Sequence, residues 1–119
     1  MINSNLNELA AYCRDRNDKW WVHPETKVKL NRNKGELMML MVSEIAEAME
    51  GERKDLMDDK LPHRKAVEVE LVDCLIRIFD YAGEYKLDLD GAFHEKTAYN
   101  DVRPDHQHEA RMAANGKKW

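Results

Sequence analysis

Two pairs of acidic residues stand out because of their spacing and their apolar surroundings. Glu44 and Glu47 are three residues apart in SEIAEAME, and Glu70 and Asp73 are three apart in EVELVDCLIR. On a helix this spacing brings both carboxylates of a pair to one face. Four carboxylates among apolar side chains would repel one another and resist desolvation. A divalent cation relieves both problems, and oxygen ligands favour Mg²⁺, with Mn²⁺ as the second choice.

The acid pairs have two other interpretations. E-x-x-E is common on solvated helix faces, but both pairs here interrupt strongly apolar helices. A di-iron bundle also binds metal between helices, and it requires a Glu-x-x-His spacing for its nitrogen ligands. Asp73 stands where that histidine would be needed. The residue types therefore favour a hard divalent cation over iron.

A third polar segment, HEKTAYNDVRP, supplies groups that bind phosphate. Lys96, Asn100 and Arg103 follow one another at spacings of four and three, so a helix would place them on one face. Lysine offers a point charge, arginine a planar fork and asparagine an amide donor to phosphate oxygens. An ordinary solvated face explains the same spacing, and this alternative stays open.

The loop segment KWWVHP contains the remaining residues with binding chemistry, Trp20, Trp21 and His23. An aromatic ring in a loop can stack on a nucleobase. It can equally pack the first helix onto the rest of the chain or contact another subunit. Because adjacent residues do not share a face, at most one of the two tryptophans is expected to stack on a base.

Helix signals dominate the chain and define the elements that must position these residues. Only three prolines occur, and no segment alternates polar and apolar residues convincingly. We expect an all-α fold, a helical bundle of four to five helices whose core is assembled with a second subunit. The first predicted helix covers 4–18 and is capped by Asn3 or Ser4. The second and third cover 34–49 and 64–85. A fourth is capped by Asp88 or Asp90 and stops before Pro104, and a tail helix covers 105–114.

Two features of the predicted helices concern their ends and their burial. Gly51 is expected to stop the second helix. The third helix is apolar on most sides, which indicates a buried central helix. Its remaining polar line consists of Glu70, Asp73, Arg77 and Asp80.

Composition limits the possible classes of protein. The 119 residues suffice for one domain spanning 1–119, and a net charge of −4 argues against a partner that is a nucleic acid polymer. Cys13 and Cys74 lack metal-site spacing and are expected to be core residues. The polar start and the lack of an apolar run of roughly 20 residues predict no membrane association and a cytoplasmic protein.

The three blocks in this order resemble the MazG-like all-α nucleoside triphosphate pyrophosphatases. The resemblance lies in SEIAEAMEGERK, VELVDCLIRIFD and EKTAYNDVRPDH, within residues 36–108. It implies Mg²⁺-dependent hydrolysis of a (d)NTP to the monophosphate and pyrophosphate, in nucleotide-pool house-cleaning. It also implies a homo-oligomer, either a dimer or a tetramer built as a dimer of dimers.

Carried over by motif position, the resemblance assigns a role to each block. It implies that Glu47 also orients the attacking water. The implied metal ligands are Glu44, Glu47, Glu70 and Asp73, and the implied phosphate-binding residues are Lys54, Lys96, Asn100 and Arg103. The base and sugar preference does not follow from these motifs. The alternative is a non-catalytic nucleotide-binding or oligomeric scaffold protein with the same helical bundle.

Overall fold

The structure is a computed structural model, which describes residues 5–104 and 108–117. Within these residues the regular elements are helical, and the β contacts are two isolated bridges, Val22 to Lys29 and Met57 to Lys65. This confirms the all-α class. The helices are α1 (Leu6–Arg16), a 3₁₀ helix (Asp18–Trp21), α2 (Lys34–Arg53), α3 (Ala66–Glu84), α4 (Leu89–Val102) and α5 (His108–Met112).

The chain divides into two compact units, Met1–Leu87 and Asp88–Trp119. In the first unit, α3 packs against both α1 and α2. Two glycines permit these close approaches. A Cβ atom on Gly83 would lie 2.5 Å from the carbonyl oxygen of Ala10, and one on Gly51 would lie 2.9 Å from Cβ of Ala66.

The end of α2 differs from the sequence prediction. Gly51 does not stop the helix, which continues to Arg53. The left-handed residue is Asp55, with φ of 50°, and the N–H of Leu56 donates to the carbonyl of Gly51 over 2.9 Å. This is the pattern of a Schellman ending with a non-glycine residue in the left-handed position. Gly51 serves interhelix contact rather than helix termination.

The start of α1 lies next to residues that are not described. Asn5 caps the helix, and its side chain accepts a hydrogen bond from the N–H of Glu8 over 2.8 Å. The caps expected at Asn3 or Ser4 lie outside the described residues.

The loop between α1 and α2 is held by Trp21. This residue is 1% exposed, and its indole N–H donates to Oδ1 of Asp80 over 2.9 Å. Guanidinium groups of Arg14 and Arg32 lie 5.2 and 4.7 Å from the centre of the indole ring. The loop that precedes α2 is therefore fastened to α3.

The segment between α2 and α3 is held by local hydrogen bonds. Met57 bridges to Lys65, and the N–H of Asp58 donates to the carbonyl of Arg64 over 2.9 Å. The buried carboxylate of Asp58 accepts hydrogen bonds from the N–H groups of Lys60 and Leu61. These bonds fix the connection between the two helices that carry the acid pairs.

The second unit begins with α4, whose cap is one of the two predicted residues. Asp88 accepts a hydrogen bond from the N–H of Gly91 over 3.0 Å. The helix ends at Val102, and Arg103 is extended because Pro104 follows it. The predicted tail helix starts outside the described residues, and its described part is α5.

Large apolar side chains remain exposed on α2 and α3. The burial expected for α3 is found only where it meets α1 and α2, since Leu71, Val72 and Leu75 are about half exposed. Cys13 and Cys74 are buried and unpaired, as expected of core residues. The exposed apolar residues of α2 are Met38, Met39, Leu40, Val42, Ile45 and Met49.

The described helices include no candidate for a membrane span. Even α2 and α3, the longest of them, are not apolar over the length that a bilayer crossing requires.

Candidate metal centre and adjoining cavity

Three of the four predicted metal ligands meet between α2 and α3. One carboxylate oxygen from each of Glu44, Glu47 and Glu70 lies within 4.8 Å of the others. Glu44 is buried, Glu70 is partly buried and Glu47 is exposed. The helix spacing of three explains why Glu44 and Glu47 point the same way, and the packing of α3 on α2 adds Glu70. We refer to Glu44, Glu47 and Glu70 as the carboxylate cluster.

Electrostatics in the carboxylate cluster disfavour three simultaneous charges. Burial, followed by hydrogen bonding to Glu44 and Glu47, raises the pKa of Glu70 to about 8. Oε2 of Glu70 is buried, and it has no hydrogen-bond partner among the described residues. Ionised carboxylates only accept hydrogen bonds, so the cluster needs either a proton or a cation.

Arg77 donates a hydrogen bond to the cluster from one side. Its Nε lies 3.0 Å from Oε1 of Glu44, and the Arg77 side chain is 39% exposed whereas that of Glu44 is 10% exposed. Burial acts to raise the pKa of Glu44, but the hydrogen bonds from Arg77 and Glu70 outweigh it, and the pKa is lowered. The two pKa shifts have opposite directions, so a proton bound by the cation-free cluster is held more favourably at Glu70 than at Glu44.

A cavity of about 490 Å³ adjoins the carboxylate cluster, with Glu44 belonging to both. Its apolar wall comes from the loop after α1 and from helices α2 and α3. Its polar groups come from the same elements, and half of the lining residues are polar or charged. The lining residues are Asn17, Trp20, Trp21, Arg32, Leu37, Leu40, Glu44, Asp73, Ile76, Arg77, Asp80 and Tyr81.

Asp73, the fourth predicted ligand, lines this cavity and does not belong to the group of three oxygens. It is partly buried. Burial, and then the charge of Glu44, raises the pKa of Asp73. The four acids thus lie at one place in the first unit, with three in close contact and Asp73 on the cavity side.

The aromatic residues predicted for base stacking occupy different positions. Trp20 lines the cavity with 60% of its surface exposed. Trp21 also lines it but is almost fully buried and bonded to Asp80. His23 caps a turn, because its Nδ1 accepts hydrogen bonds from the N–H groups of Glu25 and Thr26. Trp20 is the residue placed best to contact a ligand.

The predicted phosphate-binding residues lie in both units. Lys54 is the C-cap residue that follows α2, and it forms an ion pair with Glu50 at 2.7 Å. In the second unit, the cationic groups of Lys96 and Arg103 lie 5.1 and 5.8 Å from the ring of Tyr99. Asn100 is partly buried, and its Oδ1 has no hydrogen-bond partner among the described residues. Their role in binding phosphate stays a prediction.

Sequence reasoning did not assign Arg32 and Arg77 to the site. Both line the cavity. Arg77 lies on the same polar line of α3 as Glu70 and Asp73, at intervals of seven and four residues, so helical periodicity could have identified it. Arg32 lies in an irregular segment, and no spacing rule points to it.

Comparisons of the chain with known protein families, with curated proteins and with solved structures returned no match.

Proposed function

We propose that this protein is a Mg²⁺-dependent nucleoside triphosphate pyrophosphohydrolase that converts a (d)NTP and water into the (d)NMP and pyrophosphate. The observation that carries the proposal is the carboxylate cluster beside a cavity large enough for a nucleoside. Glu44, Glu47 and Glu70 approach within 4.8 Å, and Glu44 also lines the cavity of about 490 Å³. The order of the sequence blocks, which resembles the MazG-like enzymes, gives the reaction class.

The residues of the cluster fit a hard divalent cation. Their donors are carboxylate oxygens, and a bound cation would satisfy the buried Oε2 of Glu70, which has no hydrogen-bond partner among the described residues. Glu44, Glu47, Glu70 and Asp73 would hold Mg²⁺, or Mn²⁺ in its place. The ion would supply charge neutralisation for phosphate oxygens and a lowered pKa of water. Glu47, the exposed member of the cluster, is the carboxylate that we assign to orient the attacking water.

The cavity is the proposed place of the nucleoside. Trp20 offers an exposed ring for stacking on a base. Trp21 is hydrogen-bonded to Asp80 and supports the cavity wall. His23 accepts a hydrogen bond within a turn and supports the loop. We therefore assign neither residue a direct contact with the base. Every base has a π face, so stacking does not select among the bases.

Each of the two units contains predicted phosphate-binding residues, which we propose as phosphate ligands. Lys54 is the candidate of the first unit, and Lys96, Asn100 and Arg103 are the candidates of the second. Asn100 would donate to a phosphate oxygen through its amide nitrogen, because its unpartnered Oδ1 can only accept a hydrogen bond.

A homo-oligomer, dimeric or tetrameric, accounts for the exposed apolar side chains of α2 and α3. Monomers rarely expose contiguous apolar patches of this kind. Val42 and Ile45 on α2 are about half exposed, as are Val72 and Leu75 on α3. Size-exclusion chromatography with light scattering is expected to show a dimer or larger species, and Val72→Asp should shift it to the monomer.

Product analysis tests the proposed reaction. The purified protein is incubated with Mg²⁺ and a panel of NTPs and dNTPs, and the nucleotides and phosphate species are separated by chromatography. We expect monophosphate and pyrophosphate with at least one substrate. Diphosphate and orthophosphate would indicate a different phosphohydrolase. No turnover with either Mg²⁺ or Mn²⁺ would favour the alternative, a nucleotide-binding or scaffold protein.

A further inference from the structure

Arg77 is the cationic side chain that joins the carboxylate cluster to the cavity. It lines the cavity and donates through Nε to Oε1 of Glu44 over 3.0 Å. A guanidinium carries five N–H donors, and this bond uses the one on Nε. The two terminal nitrogens are the part of the group that recognises phosphate and carboxylate oxygens in bidentate pairs.

Charged groups of both signs line the cavity. Three acids, Glu44, Asp73 and Asp80, line it beside the cations Arg32 and Arg77. Asp80 is buried and accepts a hydrogen bond from Trp21, and Glu44 accepts one from Arg77. The guanidinium of Arg32 lies 4.7 Å from the centre of the Trp21 ring. Arg77 is thus the cation that reaches the cavity at the edge where the cluster begins.

We propose that Arg77 is a further phosphate-binding residue, which holds Glu44 through Nε and contacts a phosphate oxygen of the bound nucleotide through its terminal nitrogens. This inference rests on the proposed function. The phosphate chain of the nucleotide would then lie where the carboxylate cluster meets the cavity. One nucleotide would place its base beside Trp20 and its phosphates beside Glu44. The partial exposure of Arg77, 39%, leaves it accessible to such a ligand.

The test separates binding of anion from binding of cation. Inorganic pyrophosphate is titrated by calorimetry into the full-length protein with excess Mg²⁺, and Mn²⁺ alone is titrated in a second experiment. Arg77→Gln should bind pyrophosphate about tenfold more weakly or worse, because a charge-assisted hydrogen bond is lost. It should bind Mn²⁺ as tightly as the wild type or more tightly, since a positive charge leaves the vicinity of the carboxylates.

Control variants exclude trivial causes. Arg64→Gln removes an equal charge from an exposed pair with Glu68 and should leave both affinities unchanged. Arg77→Lys keeps a charge and should recover part of the pyrophosphate affinity. Circular dichroism confirms that each variant is folded.

Three results would overturn the inference, and they are distinguishable. Unchanged pyrophosphate affinity in Arg77→Gln, with an active wild type, would remove Arg77 from the phosphate site alone. A tenfold loss of Mn²⁺ affinity in Arg77→Gln would show that Arg77 acts only by holding Glu44. A wild type that binds neither Mn²⁺ nor pyrophosphate would refute this inference together with the proposed function.

Discussion

The indole N–H of Trp21, the last residue of the 3₁₀ helix, donates a hydrogen bond over 2.9 Å to Oδ1 of Asp80, which lies near the C-terminal end of α3, 59 positions further along the chain. Both residues are buried, and both line the cavity beside the carboxylate cluster. Burial raises the pKa of Asp80 even though this hydrogen bond opposes the rise. The pair therefore fixes the cavity wall at the cost of desolvating a carboxyl group.

Trp21→Phe should lower the free energy of unfolding by about 1–3 kcal/mol, because Asp80 loses a buried hydrogen-bond donor. Urea denaturation followed by circular dichroism measures the change. Trp20→Phe is the matched control, since Trp20 is 60% exposed and its replacement should cost less than about 0.5 kcal/mol. Equal losses in the two variants would contradict the anchoring role of Trp21.

Gly83→Ala should destabilise the protein although alanine favours helix formation. The added Cβ would lie 2.5 Å from the carbonyl oxygen of Ala10 and 2.6 Å from Cβ of Arg14, so α1 must move. We expect a loss of about 1–3 kcal/mol. Gly51→Ala, with its nearest contact at 2.9 Å, should lose less. A thermal melt that places the Gly83→Ala variant at or above the wild type would show that the α1–α3 contact is looser.

The stability of the protein without divalent cations should fall as the pH rises. Glu70 titrates at about 8 in the folded state and at about 4.3 when unfolded. Between these values the folded state binds more protons than the unfolded state, so the free energy of unfolding decreases with pH. Chemical denaturation in EDTA at a series of pH values from about 5 to 9 measures this slope.

Glu70→Gln isolates the contribution of this one group to the slope. The variant should show a flatter dependence over the same pH window, because the glutamine cannot titrate. Glu36→Gln, a substitution in the exposed first turn of α2, should retain the wild-type slope. If Glu70→Gln retained it as well, the protonated state of the cluster would be misassigned.

Asp73→Ala and Glu47→Ala should each abolish nucleotide hydrolysis while helical circular dichroism is kept. Both residues belong to the proposed ligand set, and neither is fully buried. Asp59→Ala, at an exposed aspartate of the loop before α3, should hydrolyse at the wild-type rate. Product chromatography provides the assay, and near-normal turnover by Asp73→Ala or Glu47→Ala would refute the assignment of that residue.

Local signals in the sequence predict the helices and part of the site. Asp88 and Pro104 bracket α4 because a side-chain cap and a missing N–H act locally. The spacing of Glu44 and Glu47 likewise predicts a shared face. That Glu70 rather than Asp73 completes the three-oxygen group depends on how α3 is aligned along α2, which no local rule supplies.

Tertiary contact explains where the sequence prediction fails. Gly51 looks like a helix stop, yet it lies inside α2 because Ala66 approaches the helix there. Asp55 adopts the left-handed conformation instead, at a position where glycine is more usual. Arg32 reaches the cavity from an irregular segment, so only the folded chain identifies it.

Direct binding of a divalent cation is the measurement that tests the carboxylate cluster most sharply. Mn²⁺ is titrated by isothermal calorimetry into the wild type, into the double variant Glu47→Gln with Glu70→Gln, and into the control Glu36→Gln. We expect saturable binding to the wild type and to the control, and no saturable binding to the double variant. Saturable binding that the double variant retains, or none in the wild type, would contradict a metal centre at Glu44, Glu47 and Glu70.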